Sequence, residues 1–419
     1  MAYRGFPFPP ETPLYPPASV VLAYLQSYAS AHNLYQHIRT NTTVESAVRV
    51  KGKWHVTFTS PSGSSTLENI DSLIVANGHY SQPYIPSVPG LEHWEEGTQY
   101  SHSIYYRSPS TPVDMKGKIV LVVGSGPSGI DIAPDLLGHA KTVYRSSRSI
   151  RSPDDTCNPH LRPGIARLLS SADGAVEFVD GSTLNGVDHI IFATGYVHSS
   201  PFLPTEILQN EPPPCVDNEL PGELYNSGKH LFPLARHLIP LVPRLREDEL
   251  AFIGLPRRVV PFPFIQAQAA VLVSIFTSHG SFLDRDLETR LIIDRYQALA
   301  RLHGNDQAVI ARVWHNIPGD EQFDYQEDLF RITGLEETKA RTPEWQRVIY
   351  RRKLELLKAW GAAVRDGRAE GLVKGIGTED GWVDLMNKLL DEAGEHTKLC
   401  GKREESVVQE LQFNGSAFP

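Results

Sequence analysis

The sequence feature that most constrains the fold is a glycine-rich stretch within residues 118–148. An apolar, β-branched run, Ile119 to Val123, leads into Gly124, Gly126 and Gly129 with GxGxxG spacing. In such a turn the first glycine permits the sharp bend, the second leaves room for a pyrophosphate, and the third lets a helix pack closely on the sheet. The phosphates would lie on the free N–H groups of that helix's first turn, which favour anions.

The residues after the glycines support this interpretation. Helical character continues to Leu137, and a second strand is predicted from Thr142 to Tyr144. A GxGxxG motif alone also occurs in ordinary strand-to-helix turns, but strand, turn, helix and strand in this order favour a dinucleotide-binding βαβ unit. The residues predicted to hold the pyrophosphate are Gly124, Ser125, Gly126, Pro127, Ser128 and Gly129.

The end of the second strand indicates which dinucleotide is bound. An NAD site places an acidic residue about 20 residues after the first glycine. This chain has Arg145 and Arg148 there, among serines, and guanidinium groups suit a 2′-phosphate. The sequence therefore predicts NADPH rather than NADH, and the alternative for both arginines is a solvated loop.

Composition restricts the remaining possibilities. A chain of 419 residues exceeds one ordinary core, so two or three domains are expected. A net charge of -9 argues against a nucleic-acid partner. We expect no apolar run long enough to span a membrane and no signal peptide, hence a cytoplasmic protein. Cys157, Cys215 and Cys400 have neither disulfide nor zinc spacing, and the histidines predict no metal site.

The other segments predict a mixed α/β chain. The proline-rich opening should be extended, and an amphipathic helix should follow from Ala18, with Leu22 and Leu25 on its apolar face. The remaining predictions are a hairpin at 43–50 and 54–59, strands at 72–76, 175–178, 189–193 and 250–255, and an apolar helix from 266. Amphipathic helices beyond Leu283 would either cover the core or form a homodimer.

With these segments assigned, the chain resembles the flavin-containing monooxygenases, most closely those of fungi. The blocks that carry the resemblance occur in the family's order over residues 1 to about 280, and they are MAYRGFPFPP, YLQSYASAHNL, IVANGHYSQPYIPSVPGLEHW, SHSIYYR, VLVVGSGPSGIDIA, IIFATGY and LAFIGLPRRVVPFPFIQAQAA. ATGY and GxGxxG are shared by many flavoproteins, whereas the ordered set is specific.

The resemblance implies two Rossmann-like nucleotide-binding domains of the flavoprotein disulfide-reductase type. An FAD-binding domain would occupy residues 1–105, an inserted NADPH-binding domain 106–200, and the return to the FAD domain with C-terminal helices 201–419. It also implies that NADPH reduces FAD, and that O₂ forms a C4a-hydroperoxide that oxygenates a nitrogen- or sulfur-containing small molecule. No catalytic side chain is assigned, because the flavin carries the chemistry.

Further cofactor-binding residues follow from the resemblance. Val44 would meet the adenine of FAD through its backbone. Asn77, Gly78 and His79 would form the first interdomain linker, and Thr194, Gly195 and Tyr196 the second. Gln266 and Gln268 are candidates for the flavin ring or ribityl chain, with internal hydrogen bonding as the alternative. For His102, a hydrogen bond that fixes the linker is favoured.

The chain departs from the family's pattern in two respects. The family's first FAD-binding βαβ unit, roughly 30 or more residues long, would precede FPFP, so we expect a truncated monooxygenase sequence. The His-Ser block has one extra residue between Gly97 and His102, and Tyr106 is followed by Arg107 rather than by the Trp-Pro of Baeyer–Villiger relatives. Heteroatom oxygenation is therefore expected. The alternative function is a noncatalytic or regulatory NADPH-binding remnant without FAD; a disulfide reductase would need a CxxC or CxxxxC pair.

Overall fold

A computed structural model describes residues 2–278, 282–335 and 340–399, with side chains up to residue 393. The chain divides into two compact units: Met1–Asn77 together with Ser200–Pro419, called here the large unit, and Gly78–Ser199, called the inserted unit.

The strands, in chain order, are β1 Thr43–Val50, β2 Lys53–Thr59, β3 Ser65–Ile70, β4 Leu73–Val75, β5 Gln82–Pro83, β6 Tyr100–His102, β7 Ile119–Val123, β8 Thr142–Ser146, β9 His160–Arg162, β10 Ile165–Leu168, β11 Val176–Phe178, β12 Thr183–Leu184, β13 His189–Phe192, β14 Tyr196–Val197, β15 Tyr225–Asn226, β16 Leu231–Phe232, β17 Leu234–Ala235, β18 Ile239–Pro240 and β19 Leu250–Phe252. The α-helices of the described residues are α1 Ala18–Ala31, α2 Pro127–Asp135, α3 Pro261–Ser278, α4 Arg285–His303, α5 Gln307–Val313, α6 Glu321–Ile332, α7 Glu344–Arg351, α8 Lys353–Arg365, α9 Ala369–Val373 and α10 Glu379–Leu399.

The inserted unit contains a five-stranded parallel sheet in the order β6-β13-β7-β8-β9. Both faces are covered, which explains why its central strands are continuous apolar runs. Alternate residues of β7 pack in opposite directions: Val120 and Val122 contact the α2 side, and Leu121 contacts the β10–β11 side. The βαβ prediction for residues 119–146 is confirmed.

The inserted unit starts earlier than the predicted boundary. Strand β6 pairs in parallel with β13, with Tyr100 opposite Ile190. A boundary between residues 105 and 106 would therefore cut through one sheet, and the compact unit extends back to Gly78.

The first three strands of the large unit form an antiparallel sheet, β1-β2-β3. The predicted hairpin is confirmed, with Val50 opposite Lys53, and the third strand was not predicted. Strands β4 and β19 form a separate parallel pair, with Val75 opposite Phe252. Together with C-terminal helices, these elements agree with the predicted α/β flavoprotein class.

Helix α1 forms as predicted but packs through a different face. Its buried residue is Tyr24, whereas the predicted core residue Leu22 is 57% exposed. The Tyr24 hydroxyl accepts the N–H of Tyr3 and donates to the carbonyl of Phe6. Contacts with the proline-rich opening therefore set the orientation of the helix.

The helices after residue 260 cover the core of the large unit. Helices α3, α4 and α6 contribute Val271, Ile292 and Leu329 to one buried cluster. By length and composition α3 could cross a membrane, so the expectation that no apolar run reaches that length is wrong. This is weak evidence, because core helices of soluble proteins pass the same test, and 33% of its 18-residue window is buried.

Candidate functional site

The glycine-rich turn after β7 has the geometry that the spacing predicts. Gly124 has φ 137°, and a Cβ there would lie 2.2 Å from the carbonyl oxygen of Ala193. A Cβ at Gly129 would lie 2.3 Å from the carbonyl oxygen of Gly124. These two glycines therefore allow the backbone segments to touch.

Gly126 differs from both because its surface is open. It is exposed, and no described atom beyond its chain neighbours comes within 4 Å of a Cβ built there. Gly126 also precedes α2, whose first-turn N–H groups lack partners within the helix. The turn therefore fits a diphosphate, which binds favourably at a helix N-terminus.

The two arginines predicted at the 2′-phosphate lie in different environments. Arg145 is half-buried within β8, between Val122 of β7 and Leu161 of β9. Arg148 is exposed and lies just beyond the end of that strand, beside the Ser147 and Ser149 hydroxyl groups, which are 2.7 Å apart. The end of the second strand is where a ribose 2′ substituent lies in this kind of unit. Arg148 is therefore the better placed of the two.

The second linker is held by a buried histidine. The fully buried His102 ring accepts the N–H of Ile104 at Nδ1, and its Nε2 lies 2.9 Å from the Gly195 carbonyl oxygen. This pattern places the proton on Nε2. Burial lowers the pKa of His102, opposed by the hydrogen bond to Gly195. The prediction that His102 fixes the linker is confirmed.

Other linker residues gather around this contact. The Gly195 carbonyl also accepts the N–H of Tyr84, and the Thr194 hydroxyl donates to the Tyr84 carbonyl at 2.5 Å. Tyr196 pairs with Pro83, and its ring lies 5.2 Å from that of His102.

Within the inserted unit, the last two residues of the first linker, Gly78 and His79, lie in the same neighbourhood. Gly78 has φ 72°, which favours glycine. The buried His79 ring lies 5.2 Å from the ring of His198, shortly after the second linker. The two predicted linkers are thus adjacent, although the sequence separates them by more than 100 residues.

In the large unit, two predicted residues lie on β1 and after β4. Val44 is half-buried beside a register shift in β1, a local irregularity that alters the backbone. Asn77 follows β4 at the carboxyl end of the β4–β19 pair. Gly254 follows β19 at the same end, and ligands of parallel sheets bind at such edges. Sequence reasoning missed Gly254, although a strand followed by glycine also occurs at Gly78 and Gly195.

Both predicted glutamines are hydrogen-bonded inside the protein. Gln266 accepts the N–H of Arg4 at 2.7 Å and donates to the Arg4 carbonyl at 3.3 Å. Gln268 is fully buried, accepts the N–H of Gly254 at 3.0 Å and donates to the Tyr325 hydroxyl at 2.9 Å. The alternative of internal hydrogen bonding therefore describes both amides.

The fold and the glycine turn define a protein of the two-domain, nucleotide-binding flavoprotein class. The solved S-allyl-L-cysteine S-oxygenase from Allium sativum has the same fold, with a TM-score of 0.66 and 24% identity over 96% of this chain and 82% of its own. The protein Tmm from Pelagibacter sp. strain HTCC7211 aligns with a TM-score of 0.59 and 21% identity, over 77% of this chain and 65% of its own.

Sequence comparison identifies the family within that class. A model described as flavin-binding monooxygenase-like matches residues 1–151. Flavin-containing monooxygenase FMO GS-OX-like 2 of Arabidopsis thaliana is 31% identical over 345 residues, 78% of this chain and 67% of its own length. The Saccharomyces cerevisiae thiol-specific monooxygenase is 33% identical over 290 residues, 66% of this chain and 62% of its own length. The chain belongs to the flavin-containing monooxygenase family and spans about two thirds of these relatives.

Proposed function

We propose that this protein is an NADPH- and FAD-dependent monooxygenase that transfers one oxygen atom of O₂ to a nitrogen or sulfur atom of a small molecule. The observation that carries the proposal is the open Gly126 surface at the N-terminus of α2, within a confirmed βαβ unit. Membership of the family supports FAD and NADPH as cofactors. Bound FAD would supply the oxygen-transfer chemistry.

The residues of the chain would hold and orient the cofactors. The NADPH pyrophosphate would lie on the turn that starts at Gly124, with Arg148 at the 2′-phosphate and Arg145 behind it. Val44 and Asn77 would serve the FAD side. The other linker residues that we propose to bind cofactor are Gly78, His79, Thr194, Gly195 and Tyr196. His102 would act indirectly, since its hydrogen bond to Gly195 fixes the second linker.

Sulfur is the acceptor atom that we favour for the substrate. The yeast relative, which is 33% identical to this chain, is named for thiol specificity. A sulfur nucleophile needs no general base from the protein if it reacts as a thioether or a thiolate, in agreement with a site in which no catalytic side chain was predicted.

The purified chain provides the test. We expect a bound yellow flavin that is retained on desalting, and NADPH oxidation coupled to O₂ consumption when a thiol or thioether is present. Product analysis should find one added oxygen atom. Tight NADPH binding without flavin or turnover would contradict the proposal and support the noncatalytic alternative.

The variant Gly126→Val tests whether NADPH binds at the glycine turn. It should abolish NADPH-dependent turnover while leaving flavin content unchanged, because its side chain would occupy the pyrophosphate position but lies outside the FAD-binding segments. Equal turnover in this variant would show that NADPH does not bind at the turn.

A further inference from the structure

We propose that Gln268 and Tyr325 are positioning residues, which fix the backbone of Gly254 at the flavin side of the site through a buried hydrogen-bond relay. This inference rests on the proposed function, because that function places FAD at Asn77, and Gly254 follows the adjacent parallel strand at the same end of the sheet. It changes the role of Gln268: the side chain acts on the loop rather than on the cofactor.

The relay consists of three consecutive hydrogen bonds. The N–H of Gly254 donates to Gln268 Oε1 at 3.0 Å, Gln268 Nε2 donates to the Tyr325 hydroxyl at 2.9 Å, and that hydroxyl donates to the Arg236 carbonyl at 2.6 Å. Each group therefore has one orientation that satisfies its neighbours. Burial raises the pKa of Tyr325, so its hydroxyl keeps the proton that it donates.

The far end of the relay is a strained turn. Arg236 and His237 have φ angles of 51° and 54°, and the N–H of Leu238 donates to the Ala235 carbonyl at 2.8 Å. Neither residue is a glycine or an asparagine, the usual residues in a left-handed pair. Such a backbone conformation persists only where contacts with surrounding residues hold it in place.

Both side chains of that turn are anchored. Arg236 Nε donates to the two carboxylate oxygens of the buried Glu288 at 2.8 and 3.0 Å, and Arg236 also pairs with Asp328. Nδ1 of His237 lies 3.0 Å from Nδ1 of His315. His315 Nε2 in turn accepts the N–H of Leu231. Helices α4 and α6 therefore hold the turn to which the relay is tied.

The near end of the relay lies at the edge where a ligand is expected. Gly254 has φ 77° and lies two residues after β19, as Asn77 lies two residues after β4. The adjacent residue, Ile253, donates its N–H to the Val75 carbonyl at 3.0 Å. The sheet therefore fixes Ile253, and Gln268 fixes the next N–H along the chain.

Hydrogen exchange tests the relay without any cofactor. In Gln268→Met, a substitution of similar length, the Gly254 amide should exchange at least about tenfold faster, because it loses its acceptor. The Ile253 amide, bonded to Val75, is the internal reference and should change little. An unchanged Gly254 amide in folded Gln268→Met protein overturns the inference.

Tyr325→Phe tests the middle of the relay. The ring of Tyr325 stacks on that of Phe264, with 4.7 Å between the ring centroids. Phenylalanine at position 325 therefore keeps this packing and removes only the hydroxyl group. The matched control is Tyr296→Phe, which removes a hydroxyl from the same buried cluster, where it accepts a hydrogen bond from Gln307. Faster Gly254 exchange is expected in Tyr325→Phe alone, and an equal effect in the control would contradict the relay.

FAD titration of the same variants tests the positioning role. We expect about tenfold weaker FAD binding in Gln268→Met and Tyr325→Phe, with altered visible circular dichroism of the flavin and unchanged NADPH affinity. If the wild type binds FAD and both variants bind it equally well, the inference fails and the proposed function stands. If the wild type takes up no FAD, both fail, even where the exchange data establish the relay.

Discussion

Gly124 and Gly126 are two positions apart, yet an added methyl group would meet opposite conditions at each. At Gly124 the methyl group would collide with the Ala193 carbonyl, whereas at Gly126 it would project into open space. The spacing of the motif predicted this division of roles, but not the atom that restricts Gly124, which is the carbonyl oxygen of a residue about 70 positions later. Gly124 is therefore required for backbone packing, whereas Gly126 leaves space for the ligand.

Substitution by alanine should separate these roles. Gly124→Ala should lower the free energy of unfolding by about 3 kcal/mol or more, because it adds both overpacking and an unfavourable φ. Gly126→Ala should change it by less than about 1 kcal/mol and weaken NADPH binding at least about tenfold. Urea unfolding and NADPH titration measure the two effects, and NADPH affinity at the wild-type level in Gly126→Ala would contradict the site.

Arg145 and Arg148 should also differ in their effect on NADPH binding. Arg148→Gln should reduce NADPH affinity about tenfold or more, the value of a charge-assisted hydrogen bond, and leave NADH affinity unchanged. Arg145→Gln should affect the preference less, because Arg145 lies within β8. Competition titrations with both nucleotides measure the ratio, and a wild-type ratio near one would refute the 2′-phosphate assignment.

Local elements were predictable where one stretch of sequence contains all the information. Residues 119–146 form their strand, helix and strand from adjacent residues, and the β1–β2 hairpin does likewise. Strand β6 could not be predicted, because it is stabilised by β13, almost 90 residues away. The face of α1 was predicted wrongly because Tyr24 is buried through bonds to residues 3 and 6, which periodicity does not reveal.

In the candidate site, too, the features set by local sequence were predictable and those set by distant contacts were not. The glycine turn follows from local spacing, whereas the linker contact between His102 and Gly195 joins distant segments. The roles of Gln266 and Gln268 were left open by the sequence, since each partner lies on another element. Packing partners, rather than the residue types themselves, determine which polar side chains remain available for a ligand.

The His102 contact has a measurable effect on stability. His102→Ala would leave the Gly195 carbonyl and the Ile104 N–H without this partner, at a cost of at least about 2 kcal/mol. His139→Ala is the control, because the ring of His139 also has two polar neighbours, Ser110 and Asp114, but at the surface. Urea unfolding should show a loss for His102→Ala only, and equal losses would contradict the structural role.

At the scale of the whole molecule, each compact unit contains buried neutral histidines. Burial is the main cause of the lowered pKa of His102 and His189 in the inserted unit. In the large unit, burial is the main cause that lowers the pKa of His230 to about 4, and the charge of Arg257 adds to it. Burial lowers the pKa of His237 to about 3. Protonation of these rings is therefore coupled to unfolding.

Stability should consequently fall with acid before the carboxylates titrate. The unfolded histidines have pKa values of 6.5, above the folded values, so the stabilisation is complete above about pH 6.5. It is lost as the pH falls towards 4 for His230 and towards 3 for His237. His230 alone would account for about 3 kcal/mol. Denaturant unfolding at several pH values measures this loss. His230→Asn should flatten the profile, and an identical slope in the variant would contradict the assignment.

The strand order β6-β13-β7 has a consequence for synthesis on the ribosome. The sixth and seventh strands emerge early, but the strand that joins them is translated only at residues 189–192. Until then the nascent sheet has a gap at its second position, and its apolar edges are exposed to chaperones or to other chains. We expect this nascent segment to acquire protease resistance in one late step, when the thirteenth strand leaves the exit tunnel.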